Sequence, residues 1–291
     1  MWSLEKLFEE ITLPEDAVKM VRADLAKWSA HPLYRKLYEC LRTSGRSFWN
    51  LEKEVKAAAP TLETNAEELA LVLLCDATQM MYARFLEKGY SEELFWHSCR
   101  DIRYKMMECK QVRGHYGIFV LSWYSLFYLA ERLELGRLQF EQIAFPQESY
   151  TDGKVTLKKG DPIVNIHIPS AGPLTAAAVE DALAQATRYF DLRYDGAMYC
   201  YCHSWLLFPP YQEVFGANSN TAQFAKRFDV FHVEESKEFD DAWRLFSCDY
   251  HGDPDALPQD TRMQKAMVAY LKTHTAYGCG CGILRYDGKT N

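Results

Sequence analysis

The chain has 291 residues, 48% of them hydrophobic, which is enough for one large domain or two smaller ones. Its formal net charge is −7, with acidic and basic residues interspersed. We therefore expect neither nucleic acid nor an anionic membrane as a partner, because both require a basic face.

The sequence also points to a cytoplasmic protein. No segment approaches the roughly 20 uninterrupted apolar residues of a membrane span. The first residues, Met1–Lys6, are typical of an acidic amphipathic helix rather than of a signal peptide. The nine cysteines are an odd number, and in such a chain we expect them to be reduced thiols, packed mainly in the core.

Helical periodicity dominates the first part of the chain, where strand signals are almost lacking. Thr64 or Asn65 can cap a long helix that Gly89 closes. The very apolar segment 119–133 predicts one more helix. The pattern indicates an all-helical N-terminal domain, which we place at residues 1–134.

After Gly136 the pattern changes to strands and helices in alternation. Asp152–Lys154 marks a hairpin-like turn, and Gly278–Gly282 is predicted to let the backbone turn tightly or approach another segment. The remaining predicted elements are strands at 137–143, 163–168, 198–207, 230–233 and 243–248, and helices at 174–190, 220–228 and 261–273. The sequence thus predicts an α+β protein with a mixed α/β domain at residues 135–291.

One strand–loop–helix segment of the second domain carries the clearest functional signal. Ile163–Ile168 is a β-branched strand, Pro169–Pro173 is a turn cluster, and helical periodicity begins at Leu174. The first turn of such a helix has unpaired N–H groups that favour an anion. A phosphate-bearing small molecule is therefore a candidate ligand, although a plain βα connection has the same pattern.

The order of elements in the second half resembles the core of the GNAT superfamily of N-acyltransferases. The whole chain is similar to a bacterial family of acyltransferases that join a helical N-acyltransferase N-terminal domain to a GNAT-like C-terminal domain. The motifs that carry this resemblance are Leu135–Glu141, His167–Pro169 with Gly172–Leu174, Cys202–Leu207 and Asn218–Asn220.

The resemblance implies acyl-CoA as a cosubstrate, with its pyrophosphate in the loop after the strand 163–168. The residues implied to bind the cofactor are Ile168, Ser170, Ala171, Gly172, Leu174, Thr175 and Asn220. The loop departs from the superfamily pattern, because it has one glycine, a proline without an N–H at Pro173, and no basic residue. Backbone donors and the hydroxyls of Ser170 and Thr175 would then hold the phosphates.

The resemblance also implies that the strands containing His167 and His203 splay apart around the thioester. Alternation places Asn165 with His167 on one face, and Tyr201 with His203 and Trp205 on one face. A histidine can accept the proton of an attacking amine at neutral pH. The predicted base is His203, or Glu141 acting through water, with His167 as a further candidate and Tyr201 as a possible acid.

The alternative without a catalytic role is that each histidine is a hydrogen-bonded core residue. Glu141 could also orient a histidine rather than act itself.

A serine-hydrolase mechanism is disfavoured. Ser204 follows His203 directly, and neighbouring residues of a strand point to opposite faces. The sequence also has no Gly-x-Ser-x-Gly elbow.

Two Cys-x-Cys pairs and a neighbouring histidine could supply zinc ligands: Cys200, Cys202, His203, Cys279 and Cys281. A spacing of one residue on a strand lacks the turn that a two-residue spacing allows. We therefore predict no metal site.

Together these features predict a transferase that moves an acyl group, with acetyl expected, from acyl-CoA to an amine of a small-molecule acceptor by direct attack. One alternative is a catalytically inactive GNAT-like protein that binds a metabolite or a partner. Another is a transferase that takes its acyl group from an acyl carrier protein. The sequence leaves the acceptor and the oligomeric state open.

Overall fold

The computed structural model describes residues 2–288. Its contacts divide the chain into two compact units, Met1–Leu133 and Glu134–Asn291. Met1 and 289–291, the outermost residues of the two predicted domains, lie outside the described residues. The fold class is α+β, as predicted: a helical unit is followed by a mixed α/β unit.

The helical unit contains eight α-helices within its described residues. They are α1 (Leu4–Glu10), α2 (Glu15–Trp28), α3 (Pro32–Thr43), α4 (Trp49–Ala58), α5 (Ala66–Glu87), α6 (Glu92–Cys99), α7 (Asp101–Arg113) and α8 (Ser125–Tyr128).

Helix α5 forms the core of this unit. The Asn65 side chain caps it by accepting a hydrogen bond of 2.8 Å from the Glu68 N–H. By length and composition α5 could cross a membrane, whereas no segment was expected from the sequence to approach a membrane span. Asp76 interrupts the apolar run of this helix. Of its most apolar window 61% is buried inside the protein, which is the environment of a core helix.

The predicted helix over residues 119–133 is wrong. The segment forms a 3-10 turn (Leu121–Tyr124), the single turn of α8, and the first strand, β1 (Arg132–Leu135). Ala130 has a φ of 51° and ends the helical geometry. The hydroxyl of Tyr124 donates to the carbonyl of Asp101 at 3.1 Å, so tertiary packing rather than helical periodicity sets this path.

The α/β unit contains the remaining elements. Its strands are β2 (Leu138–Ala144), β3 (Ser149–Thr151), β4 (Thr156–Lys158), β5 (Pro162–His167), β6 (Met198–Ser204), β7 (Asp229–Ser236) and β8 (Tyr277–Tyr286). Its helices are α9 (Ala176–Tyr189), α10 (Tyr211–Phe215), α11 (Asn220–Ala225), α12 (Ala242–Phe246) and α13 (Arg262–Leu271).

A six-stranded sheet in the order β1-β2-β5-β6-β8-β7 organises this unit. Strands β3 and β4 form a separate antiparallel hairpin around the predicted turn. The hairpin residues Tyr150 and Leu157 belong to a buried cluster with residues from one face of the sheet, among them Phe145, Ile163, Tyr199, Tyr201, Cys281 and Ile283. Helix α9 packs against β2.

Two sequence predictions in this unit need correction. The predicted strand 243–248 is wrong: residues 243–246 belong to helix α12, in which Ala242 and Phe246, four residues apart, are both buried on one face. The predicted strand 198–207 ends at Ser204, and Trp205–Leu207 form a 3-10 turn.

The glycine-rich segment 278–282 lies within β8, between β6 and β7. The predicted close approach is confirmed: a Cβ atom on Gly280 would lie 2.3 Å from the carbonyl oxygen of Leu207. A Cβ atom on Gly278 would lie 2.2 Å from the carbonyl oxygen of Glu234. Sequence analysis missed the strand itself, because glycine is depleted in strands.

We predict that Gly280→Ala lowers the free energy of unfolding by about 1–3 kcal/mol, because the new methyl group meets backbone that has no room to yield. Gly282→Ala is the comparison variant and should lose less stability, since its Cβ would lie 2.9 Å from Cβ of Phe228 and meet side-chain rather than backbone atoms. Chemical denaturation of the three proteins measures the effect. Equal stabilities of the two variants would contradict this account of β8.

Candidate active site

The candidate site lies where strands β5 and β6 part. Their parallel pairing joins Val164 to Cys200 and Asn165 to Tyr201. Beyond these pairs each strand is held from its outer side: β2 pairs with β5 as far as His167, and β8 pairs with β6 as far as Ser204. The sheet therefore opens between the ends of β5 and β6 without losing either strand.

The loop after β5 leads into the N-terminus of α9. Gly172 has a φ of +102°, a conformation that glycine adopts at little cost. Thr175 is the N-cap of α9, and its hydroxyl accepts a hydrogen bond of 3.3 Å from the Ala178 N–H. The N–H groups of the first helical turn that this cap does not engage are candidates for binding an anion.

A basic side chain reaches this loop from another part of the chain. Arg137 lies in the turn between β1 and β2, and its Nε donates a hydrogen bond of 2.9 Å to the carbonyl oxygen of Gly172. Sequence analysis counted no basic residue in the loop and placed Arg137 at the start of a strand. The signal that could have located it is Gly136, whose φ of +58° forms the turn.

The predicted cofactor-binding residues have different environments. Ser170, Gly172 and Thr175 are exposed, Ile168 and Ala171 are half-buried, and Leu174 is buried. Asn220 is exposed at the first position of α11, and Ser219 caps this helix.

On β5 and β2, one polar cluster contains Glu141, Asn165 and His167. The Nε2 atom of His167 lies 2.9 Å from Oε1 of Glu141, and the Asn165 amide donates to the same oxygen at 3.1 Å. The Glu141 side chain is only 6% exposed. This geometry fits the role of Glu141 as a group that orients a histidine.

On the next strands, a second cluster contains Tyr201, His203, Glu234 and Cys281. Nε2 of His203 lies 3.3 Å from Oε2 of Glu234, and both side chains are about half exposed, at 43% and 50%. The Tyr201 hydroxyl donates to Cys281 Sγ at 3.1 Å. Sequence analysis missed Glu234, although its alternation with His232 on β7 marks both as residues of one face.

Burial raises the pKa of the Tyr201 phenol and of the Cys281 thiol. Both groups therefore keep their protons at neutral pH. Tyr201 is a proton donor in this state, and Cys281 is a poor nucleophile.

Ser204, Cys200 and Cys202, which the sequence did not favour as a nucleophile or as zinc ligands, are engaged in the structure or buried. Ser204 Oγ accepts a hydrogen bond of 3.2 Å from the Leu206 N–H. Cys200 and Cys202 are fully buried, and burial raises the pKa of both thiols.

The sequence matches the models of two known domain families. The model of the N-acyltransferase N-terminal domain matches residues 2–129, and the model of the GNAT-like C-terminal domain matches residues 133–284. The chain belongs to this acyltransferase-type family. The resemblance drawn from the motifs is confirmed.

Solved structures with the same fold cover 97% of this chain and 87% of their own length. One is an acyltransferase in complex with decanoyl-CoA and teicoplanin, with 20% identity and a TM-score of 0.70. Others are an acyltransferase mutant in complex with octanoyl-CoA, with 20% identity and a TM-score of 0.70, and an acyltransferase with decanoyl-CoA, with 21% identity and a TM-score of 0.71. A comparison with curated proteins gave no match.

We predict that Thr175→Ala costs about 1 kcal/mol of stability, because the N-terminus of α9 loses its cap. Thr175→Ser keeps the hydroxyl and should retain most of that stability. Urea denaturation distinguishes the variants. An unchanged stability of Thr175→Ala would show that the hydroxyl is available for ligands rather than engaged as a cap.

Proposed function

We propose that this protein transfers an acyl group from acyl-CoA to an amine of a small-molecule acceptor, by direct attack within a ternary complex. The observation that carries the proposal is the opening between β5 and β6, with a histidine–carboxylate pair beside each strand. Family membership supports it, as do the acyl-CoA complexes of the structures with the same fold.

The loop and Arg137 are proposed to hold the phosphates of CoA. The N–H groups at the start of α9 supply hydrogen bonds, and the guanidinium of Arg137 supplies the positive charge that the loop itself lacks. A guanidinium can bind a phosphate through two parallel N–H donors. The pantetheine arm would then run into the opening between β5 and β6.

His203 is proposed as the base. The acceptor's nitrogen attacks the carbonyl carbon of the thioester, and His203 takes the proton that this nitrogen loses. Glu234 lies 3.3 Å from Nε2 of His203 and stabilises the imidazolium that forms. The C–S bond then breaks, and the CoA thiolate takes a proton from the hydroxyl of Tyr201.

His203 is favoured over His167 because it is more accessible. The His203 side chain is 43% exposed and the His167 side chain 23%. His167 also belongs to a buried network with Asn165 and Glu141, which suits a positioning role.

An assay of CoA release with donors of different length tests which acyl chain the protein transfers. Sequence analysis expects acetyl, whereas the solved acyltransferases carry decanoyl and octanoyl groups on CoA. Release of free CoA from acetyl-, octanoyl- and decanoyl-CoA should be measured with a panel of amines. No release with any pair would favour the inactive binding protein. Transfer from acyl carrier protein alone would favour the carrier-dependent enzyme.

We predict that His203→Ala lowers kcat by about 100-fold or more, with little change in the affinity for acyl-CoA. The readout is the pH profile of kcat/KM, which should lose its limb for the base. His251→Ala, an exposed histidine in a loop, is the control. Full activity of His203→Ala would remove this residue from the mechanism.

We predict that Arg137→Ala weakens the binding of acyl-CoA by about 10-fold or more, since a hydrogen bond to a charged group is lost. Binding of the matching acyl-pantetheine, which has no phosphate, should change little. Calorimetric titration of both ligands makes the comparison. An equal loss for the two ligands would mean that Arg137 only supports the loop.

A further inference from the structure

Three side chains on neighbouring strands form a possible metal site at the edge of the proposed active site. His203 on β6 is the register partner of Cys281 on β8, which in turn is the partner of His232 on β7. Glu234 follows two residues after His232 and shares its face. The ligand atoms of His203, Glu234 and Cys281 all lie within 4.8 Å of one another.

These separations approach those of a tetrahedral zinc site. Bond lengths of about 2.0–2.1 Å to nitrogen and oxygen and about 2.3 Å to sulfur imply ligand separations of about 3.3–3.6 Å. Here Nε2 of His203 lies 3.3 Å from Oε2 of Glu234. Sγ of Cys281 lies 3.9 Å from Oε1 of the same carboxylate. The His203 and Glu234 side chains are about half exposed, which leaves them room to rotate toward a shared ion.

Two hydrogen-bond donors lie beside the sulfur of Cys281. The Tyr201 hydroxyl donates to Sγ at 3.1 Å, and the Gln147 amide donates to it at 3.6 Å. Donors of this kind orient a ligand and stabilise its charged form. Strand β8 is also held rigidly, because Gly278 and Gly280 on either side of Cys279 pack directly against other backbone.

We propose that His203, Glu234 and Cys281 bind a borderline divalent metal ion, with Zn²⁺ as the best match to one nitrogen, one oxygen and one sulfur ligand. The thiol proton is released when the metal binds. The fourth position is open to His232, whose Nε2 lies 3.7 Å from Oε1 of Glu234, or to water.

This site differs from the zinc set considered from the sequence. Cys200 and Cys202 take no part, since they alternate with Tyr201 and His203 along β6 and so lie on its opposite face. The cysteine comes from β8 and the carboxylate from β7, so no short motif contains the ligands.

Occupation of this site would block acyl transfer, an inference that rests on the proposed role of His203. A metal bound to Nε2 takes the electron pair that the base needs. The metal is therefore expected to be an inhibitor and not a cofactor.

Titration of the metal-free, full-length protein with Co²⁺ tests the site without any assay of activity. We expect one equivalent to bind with a thiolate-to-cobalt charge-transfer band, and Zn²⁺ to displace it. Cys281→Ser should abolish this band, and Glu234→Gln should weaken binding by about 10-fold or more. Cys279→Ser is the matched control, because its sulfur lies beside Asp241 and not in the cluster. It should leave the band unchanged.

Thermal unfolding shows whether each variant is folded before its spectrum is interpreted. Glu234 is half exposed, so its variant tests the site even if Cys281→Ser fails to fold. Absence of the band in the wild-type protein would overturn the proposal. A band that survives both Cys281→Ser and Glu234→Gln would overturn it as well.

The second arm measures turnover with added Zn²⁺ and after its removal by a chelator. Inhibition that the chelator reverses supports the whole proposal. A cobalt band with unchanged turnover would support the site and overturn the inhibition, and with it the role of His203 as the base. If the metal-free protein transfers no acyl group, the proposed function fails while the cobalt titration still decides the metal site.

Discussion

The α/β unit depends on two neighbouring strands that part while each stays paired on its other side. Strand β5 is held by β2, and strand β6 is held by β8. Edge groups of a sheet need partners or water, so an opening inside a sheet is tolerated only where a polar ligand or solvent can enter. The same opening brings together the end of β5, the start of α9 that is proposed to bind phosphate, and the histidine of β6.

Strand β8 holds β6 on the side away from the opening. Its glycine-rich sequence does not predict a strand. Glycine weakens a strand because it has no side chain to pack, and a Gly-Cys repeat therefore predicts a turn. In the structure, the missing side chains of Gly278 and Gly280 allow the backbone of β8 to lie against Glu234 and Leu207. The close approach could be predicted from composition, but the strand could not, because it depends on contacts that are distant in sequence.

The candidate site likewise has local features that the sequence predicts and long-range contacts that it does not. Alternation along single strands correctly placed Asn165 with His167 and Tyr201 with His203, since that pattern is local. The partners of these residues are not local: Arg137 meets Gly172, Glu141 meets His167, and His203 meets Glu234 across strand pairings. Of these, sequence analysis anticipated only that Glu141 could orient a histidine. Register decides the others, and a single sequence does not display register.

The two histidine–carboxylate pairs differ in burial, and this difference matches the roles proposed for them. Glu141 is almost fully buried and receives two hydrogen bonds, so His167 is fixed. The pair of His203 and Glu234 is half exposed, and this freedom suits a base that must meet a second substrate. The same exposure, next to the sulfur of Cys281, leaves this pair accessible to the borderline divalent metal ion proposed above. Exposure of His203 thus allows both an amine and zinc to approach it. The two exclude each other, because both require the electron pair of the same imidazole nitrogen.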